Sequence, residues 1–336
     1  MYIILQKVLY KMNEETDKPN TAAGQEETET VVDPAEIERQ EREELQTFLN
    51  ELKAKINAKS QLRHENTNFE LPEDSYFAKL DSSLKRNTAF VKKLRQFTVA
   101  QLDPLMKDMK GLNLSKYISE ICSALSEAKI KMTDVPAVVL LCSKLHQTYA
   151  DFGNEFFDAW QKTLMLKPGE KISNPSKLRV DLRLFAELVS SGVINSKQGL
   201  GLLGNVLTNV ISQDKEDHSN FSIILSFCRH CGEEYAGLVP RKMIDLAEKY
   251  GNQEIPKSDF LPSDKQENLR KLLKDYFKNL CKHLLAEQEE LKNMTTMLKK
   301  AMASQGKTNF FYKFFITLNK SQPFVLPKLI SNIYFY

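Results

Sequence analysis

Glycine and proline are both scarce, 12 of each in 336 residues, or about 3.6% apiece against usual frequencies of roughly 7% and 5%. All-β and doubly wound α/β folds need a tight turn every few residues, and this chain lacks the residues that make them. Strand-like alternation is absent too, which leaves long helices and short connections as the expected class. No run of about 18 apolar residues occurs, so no membrane span is expected. The opening MYIILQKVLYKM is too short, and too broken by Lys7, for a secretion signal. Five cysteines, an odd number spread from Cys122 to Cys281, do not form a disulfide framework. A reducing compartment is expected: the cytoplasm, with the perinuclear region as the alternative.

The five histidines are scattered and offer little general-base capacity. No Ser/His/Asp order, paired-carboxylate setting or Gly-rich dinucleotide turn stands in a context that supports it. No enzyme and no cofactor are expected.

What is present is charge, unevenly placed. The net charge is +3, but residues 13–44 carry twelve acids against Lys18, Arg39 and Arg42, a net of −9, so the rest sums to +12. Residues 1–32 read as a disordered acidic head. Asp33 and Pro34 make an N-cap and first helical position for a charged helical extension over 33–71. Its helix is expected to reach about Ser60, with a thin apolar stripe of Ile37, Leu45, Phe48, Leu49 and Leu52 as a weak docking face.

From 72 to 304 the apolar residues recur at three and four spacings. Leu114, Ile118, Ile121, Cys122 and Leu125 form one face; Val138, Leu141, Cys142, Leu145 and Tyr149 form the next, capped near Thr133 or Asp134. Asn174 with Pro175 opens a helix burying Leu178, Leu182, Phe185 and Val189, and Asn195 opens one burying Leu200, Leu203, Val206 and Val210. Gly232 is the expected end of the helix from Ser219. Pro240 starts another that runs to Gly251, and Ser263 with Gln266 makes a capping box for a last long helix. An all-α, HEAT-like α-solenoid of antiparallel helix pairs is preferred, with a globular bundle left open. Residues 305–336 change character: nine aromatics lie between Phe310 and Tyr336, with four lysines from Lys307 and no acid. A misread or truncated gene model is the preferred reading, over a short terminal element or a partner-binding segment.

Three chemical motifs fail on context. Cys228-Arg229-His230-Cys231 is an isolated CxxC inside an apolar helical run, so both sulfurs belong to a core face and no metal site is expected. Cys142 and His146, four apart, lack further ligands. Ala301 to Thr308 reads AMASQGKT, but a phosphate loop must follow a strand, and this stretch follows a helix. Arg183 and Glu187 read as a surface pair.

The most informative charge feature is Leu80 to Leu94, LDSSLKRNTAFVKKL, since no acid lies between Ser82 and Leu102. As a helix it has an apolar seam of Phe77, Leu80, Leu84, Val91 and Leu94. Lys85 with Lys92, and Arg86 with Lys93, form two basic stripes about 10 Å long. Such stripes meet either solvent or phosphates, and no aromatic platform is interleaved.

DSSLKRNTAFVKKL from Asp81, GLNLSKYISE from Gly111, HQTYADF from His146, LRVDLRLFAELVSSGVI from Leu178 and SFCRHCGEEYAGLVPRK from Ser226 together resemble the first middle domain of the up-frameshift two family of nonsense-mediated mRNA decay factors. The match runs in order from about Pro72 to about Met302. It implies a HEAT-like domain of the initiation factor four gamma middle-domain type, acting as a scaffold among mRNA surveillance proteins. The family's partners are the up-frameshift helicase and the up-frameshift three protein, met through later segments without counterparts here. RNA contact through Lys85, Arg86, Lys92 and Lys93 is a separate expectation, drawn from charge.

Overall fold

A computed structural model describes residues 33–166, 172–216 and 218–305. The disordered reading of residues 1–32, and all but the first residue of the 305–336 tail, lie outside the described residues. Twelve α-helices occur among them: α1 (Pro34–Thr67), α2 (Asp74–Ala78), α3 (Leu84–Leu94), α4 (Leu102–Gly111), α5 (Ile118–Glu127), α6 (Val135–Thr148), α7 (Phe152–Thr163), α8 (Pro175–Ser190), α9 (Ser196–Ser212), α10 (Phe221–Ala236), α11 (Arg241–Lys249) and α12 (Ser263–Gln305). No strand occurs among the described residues; the one β-like pairing is an isolated parallel bridge between Asp81 and Leu112.

The chain divides into two compact units, up to Glu43 and from Glu44 onward. In the first, Asp33 caps α1 by accepting the Ala35 N–H on Oδ1 at 3.1 Å. Glu36–Arg39 and Glu38–Arg42 pair along the helix at 2.8 and 2.7 Å.

In the second unit the helices stack as two offset rows. α3 packs on α5, α5 on α7, α4 on α6, α6 on α8, α8 on α10 and α10 on α12. Contacts that skip one element in this way are the signature of hairpins laid side by side, and they decide for the solenoid over a bundle, where one core would gather all helices. The core runs the length of the stack. On α7, Phe152, Phe156 and Trp160 fall one turn apart and meet ring to ring at 5.0 and 5.9 Å, and Phe185 of α8 continues the chain at 5.8 Å from Trp160. Each such ring removes on the order of 150–250 Å² from water, worth about 4–6 kcal/mol before entropy is counted.

Helix ends follow local chemistry where the cap is a side chain. Asn174 accepts the Lys177 N–H, and Asn195 accepts those of Lys197 and Gln198. Three expectations are corrected. α1 continues past Ser60 to Thr67, because no breaker intervenes and Leu62 and Asn66 still find partners inside. α10 does not end at Gly232. It runs on to Gly237, whose φ of +58° is the left-handed cap, with Leu238 N–H returning to the Gly232 carbonyl at 3.0 Å. Gly232 serves packing: a Cβ there would stand 2.8 Å from Leu238 Cδ1. Gln266 forms no box with Ser263; its amide donates to the Ser258 and Leu261 carbonyls at 3.4 and 3.2 Å.

From Glu44 onward, α1 lies along the stack by three kinds of contact. Leu45 and Leu49 meet Met243, Leu246, Ala247 and Tyr250 in a small second core. Lys242 pairs with Glu44 at 2.6 Å. At the far end Asn66 is 2% exposed, and its amide donates to Ser143 Oγ at 3.0 Å and the Ser191 carbonyl at 2.8 Å.

Candidate functional site

α3 is positioned from both ends. Asp81, just ahead of it, accepts the Ser83 N–H on Oδ1 at 2.7 Å. Its own backbone exchanges hydrogen bonds with Gly111 and Asn113 at 3.0 and 2.9 Å. The bond from the Ser83 backbone, aided by Arg86, holds the Asp81 carboxyl below the usual carboxylate range. Phe90, Val91 and Leu94 face inward. So does Asn87, fully buried, whose amide donates to the Asn113 carbonyl at 2.9 Å. Leu84 does not join this seam: it is 70% exposed, because the helix begins there and the inward register falls on Asn87.

With that register, Lys85, Arg86, Lys92 and Lys93 all project into solvent. The two stripes differ. Arg86 is paired with Asp81 at 2.7 Å and Lys93 with Asp108 of α4 at 2.7 Å. Lys85 and Lys92 have no ion pair among the described residues. Exposed pairs of this kind contribute at most about 1 kcal/mol each and exchange readily for a stronger anion. The surface therefore offers two unpaired cations and two released by competition.

The CxxC block sits on α10. Cys231 is buried and Cys228 nearly so, and both thiols are free. Burial pushes each up to about 12, so neither is a nucleophile near neutral pH. Between them His230 is pushed down to about 4, by burial first and then by the Arg183 guanidinium. Arg183 and Glu187 are not a surface pair. They meet at 2.7 Å with side chains 15% and 12% exposed, and Arg183 also donates to the Met132 carbonyl at 2.8 Å, tying α8 to the turn before α6.

Cys142 is fully buried. His146 donates its Nε2–H to the Asn66 carbonyl at 3.2 Å and lies edge-on to Phe69. Burial lowers its pKa, so it is neutral and structural at pH 7. Among the described residues no group of three or more His, Cys, Asp and Glu side chains is arranged to hold a metal ion. Ala301 to Gln305 form the end of α12, while Gly306 to Thr308 lie outside the described residues. No helix among the described residues is long and apolar enough to cross a membrane.

Comparison with known proteins gives one consistent picture. The MIF4G domain model matches residues 84–305. The human protein called Regulator of nonsense transcripts 2 is 45% identical over 250 residues, covering 74% of this chain and 20% of that protein. Regulator of nonsense transcripts UPF2 of Arabidopsis thaliana is 34% identical over 284 residues, 82% of this chain and 23% of its own. The chain thus spans about a fifth of the length of the curated relatives it matches. The crystal structure of the first MIF4G domain of human nonsense mediated decay factor UPF2 superposes with a TM-score of 0.79 at 41% identity, covering 87% of this chain and 94% of that one. The N-terminal mIF4G domain of Upf2 from S. cerevisiae shares the fold, at a TM-score of 0.56 and 22% identity over 78% of this chain and 90% of that one.

Proposed function

Because the chain belongs to the MIF4G domain family, we propose that it is a non-enzymatic scaffold of nonsense-mediated mRNA decay, working by protein contacts within the mRNA surveillance machinery. The observation that carries this reading is the 41% identity and common fold with the first MIF4G domain of the human decay factor UPF2. The chemistry of the solenoid agrees with positioning as the mechanism: Asn66 ties α1 to α6 and to the end of α8, Arg183 ties α8 to the turn before α6, and Asn87 ties α3 to the loop after α4. Other mRNA surveillance proteins are the proposed partners, with the up-frameshift helicase and the up-frameshift three protein expected of the wider family through segments not matched here, and the cytoplasm is the proposed location. Depletion of the protein in its own cells, with decay of a reporter mRNA followed after transcription is stopped, tests the role. A premature stop codon is expected to cease shortening the reporter's half-life. An unchanged difference between reporters with and without the stop codon sinks the proposal.

A second reading, direct RNA binding by the basic helix over 82–95, is favoured by the exposure of Lys85 and Lys92 without an ion pair among the described residues. It predicts steep salt dependence and a large loss when Lys85, Arg86, Lys92 and Lys93 become glutamate. Binding unchanged by that replacement overturns it.

A further inference from the structure

We propose that the outer face of α12 is a track for the sugar-phosphate backbone of single-stranded RNA, held by Lys271, Lys274, Lys278 and Lys282. This shares with the second reading above only the premise that the chain contacts RNA, and it assigns the contact to a different helix. The four lysines stand at i, i+3, i+7 and i+11, so at 100° per residue they share one stripe about 16 Å long. All four are exposed.

The opposite face fixes their direction. Leu273, Tyr276, Leu280 and Cys281 are buried, and the Tyr276 hydroxyl donates to Asp214 Oδ2 at 2.5 Å. Asn279 donates to the Lys215 carbonyl at 3.0 Å, which brings exposed Lys215 to the flank of the stripe.

Charge separates this face from α3. Among the described residues Lys271, Lys274 and Lys282 have no ion pair, and Lys278 has only Asp275 at 3.3 Å, both side chains more than half exposed. On α3 half of the four cations are paired at 2.7 Å. Acids bound the stripe: Glu267, held by Arg270 at 2.7 Å, lies one turn before Lys271, and Glu289 lies seven residues after Lys282.

The chemistry favours RNA over an acidic protein. Lysine ammonium groups are point charges without the fork that reads a base or a carboxylate, so they grip phosphates regardless of sequence. The stripe between Lys271 and Lys282 carries no aromatic or arginine anchor, which a protein interface of useful affinity needs at its centre. Four lysines on one stripe can neutralise up to about four phosphates.

The test is fluorescence anisotropy of a labelled 20-nucleotide oligouridine with the purified full chain, across a salt series. Four neutralised phosphates give a slope of log K against log salt near −3, or about 50-fold weaker binding at 200 mM than at 50 mM. Changing the four α12 lysines to glutamate is expected to weaken binding at least about tenfold at 50 mM and to flatten that slope. Changing them to glutamine should do so to a smaller extent, with far-UV circular dichroism unaltered in both sets. No binding by the unaltered chain at 50 mM overturns both this inference and the reading beneath it. Binding abolished by the α3 substitutions but untouched by the α12 set overturns the α12 track alone. Equal or tighter binding of a polyglutamate of the same charge assigns the face to acidic protein and also overturns it.

Discussion

Lys59 of α1 and Glu234 of α10 meet at 2.6 Å, with side chains 23% and 3% exposed. Arg63, one turn on, stands 3.9 Å from the other carboxylate oxygen and 2.6 Å from Asp259. This junction clamps a charged helix to the CxxC helix of the solenoid, and it decides how firmly α1 is held.

Breaking the pair from one side leaves a buried charge behind, so Lys59→Met or Glu234→Leu is expected to cost about 3 kcal/mol, read from urea unfolding midpoints. The double replacement Lys59→Met with Glu234→Leu should recover most of that loss. A double variant as unstable as the sum of the singles contradicts the coupling. Burial alone would lower the Lys59 pKa, but Glu234 and Glu187 outweigh it and the net shift is upward from 10.5. A raised folded pKa on a base means that the contribution is fully present below about 10.5 and is lost as pH rises through the folded value.

The thiols of Cys228 and Cys231 give a second, earlier alkaline signature. Their ordinary value is 9.0, and burial raises both to about 12 in the folded chain. The unfolded state therefore gives up its protons first, and stability should fall by about 1.4 kcal/mol per pH unit for each thiol between 9 and 12. Denaturation of a Cys228→Ala, Cys231→Ala variant at pH 7 and pH 10 should show a shallower loss. With native protein at neutral pH, a thiol reagent should label both slowly until denaturant is added; rapid labelling of both refutes the packed-core assignment.

His230 acts at the opposite end of the scale. Held neutral down to about 4 while its unfolded value is 6.5, it stabilises the fold above pH 6.5 and withdraws that contribution as pH falls toward 4. The ring is partly exposed, so screening reduces the effect to about 1 kcal/mol. Unfolding midpoints at pH 7 and pH 5 should differ less for His230→Asn than for the unaltered chain, and equal differences would refute the assignment.

What could be read from sequence and what could not divide by the range of the interactions involved. Asn174 and Asn195 cap their helices through bonds to residues two or three positions away, which is why spacing alone found them. Asn66 and Asn87 are buried because their amides reach Ser191 and Asn113, 125 and 26 residues distant, and no local pattern marks a polar residue for that role. The same cause displaced Leu84 from the expected seam. Choosing between Gly232 and Gly237 as the end of α10 depended on Leu238 packing against the first. For α3 the exposure of the basic residues was legible in the stretch free of acids, but the partner Asp108 arrives from another helix. The lysine spacing of α12 is legible in the sequence, but only the burial of Leu273 and Leu280 shows that the lysine face is outward.

Gly199 of α9 provides the sharpest test of how closely the rows of the solenoid pack. In an isolated helix, alanine at this position would stabilise by about 1 kcal/mol, since glycine surrenders more backbone freedom. Here a Cβ would collide with Val189 Cγ2 of α8, and would stand 3.0 Å from Val189 Cγ1 and 3.3 Å from Ile194 Cγ2. Val189 and Ile194 are fully buried and Gly199 lies on the inner face of its helix, so neither neighbour has room to yield. The overpacking should exceed the helix gain and leave Gly199→Ala destabilised by about 1–3 kcal/mol. Val189→Ala removes the colliding methyls and by itself should cost about 2 kcal/mol as a cavity. Combined, the two should cost less than their sum, because the new methyl enters the space the old ones left. Thermal unfolding of the four proteins of this cycle measures the coupling. Strict additivity, or a Gly199→Ala protein more stable than its parent, would show that α8 and α9 do not approach this closely.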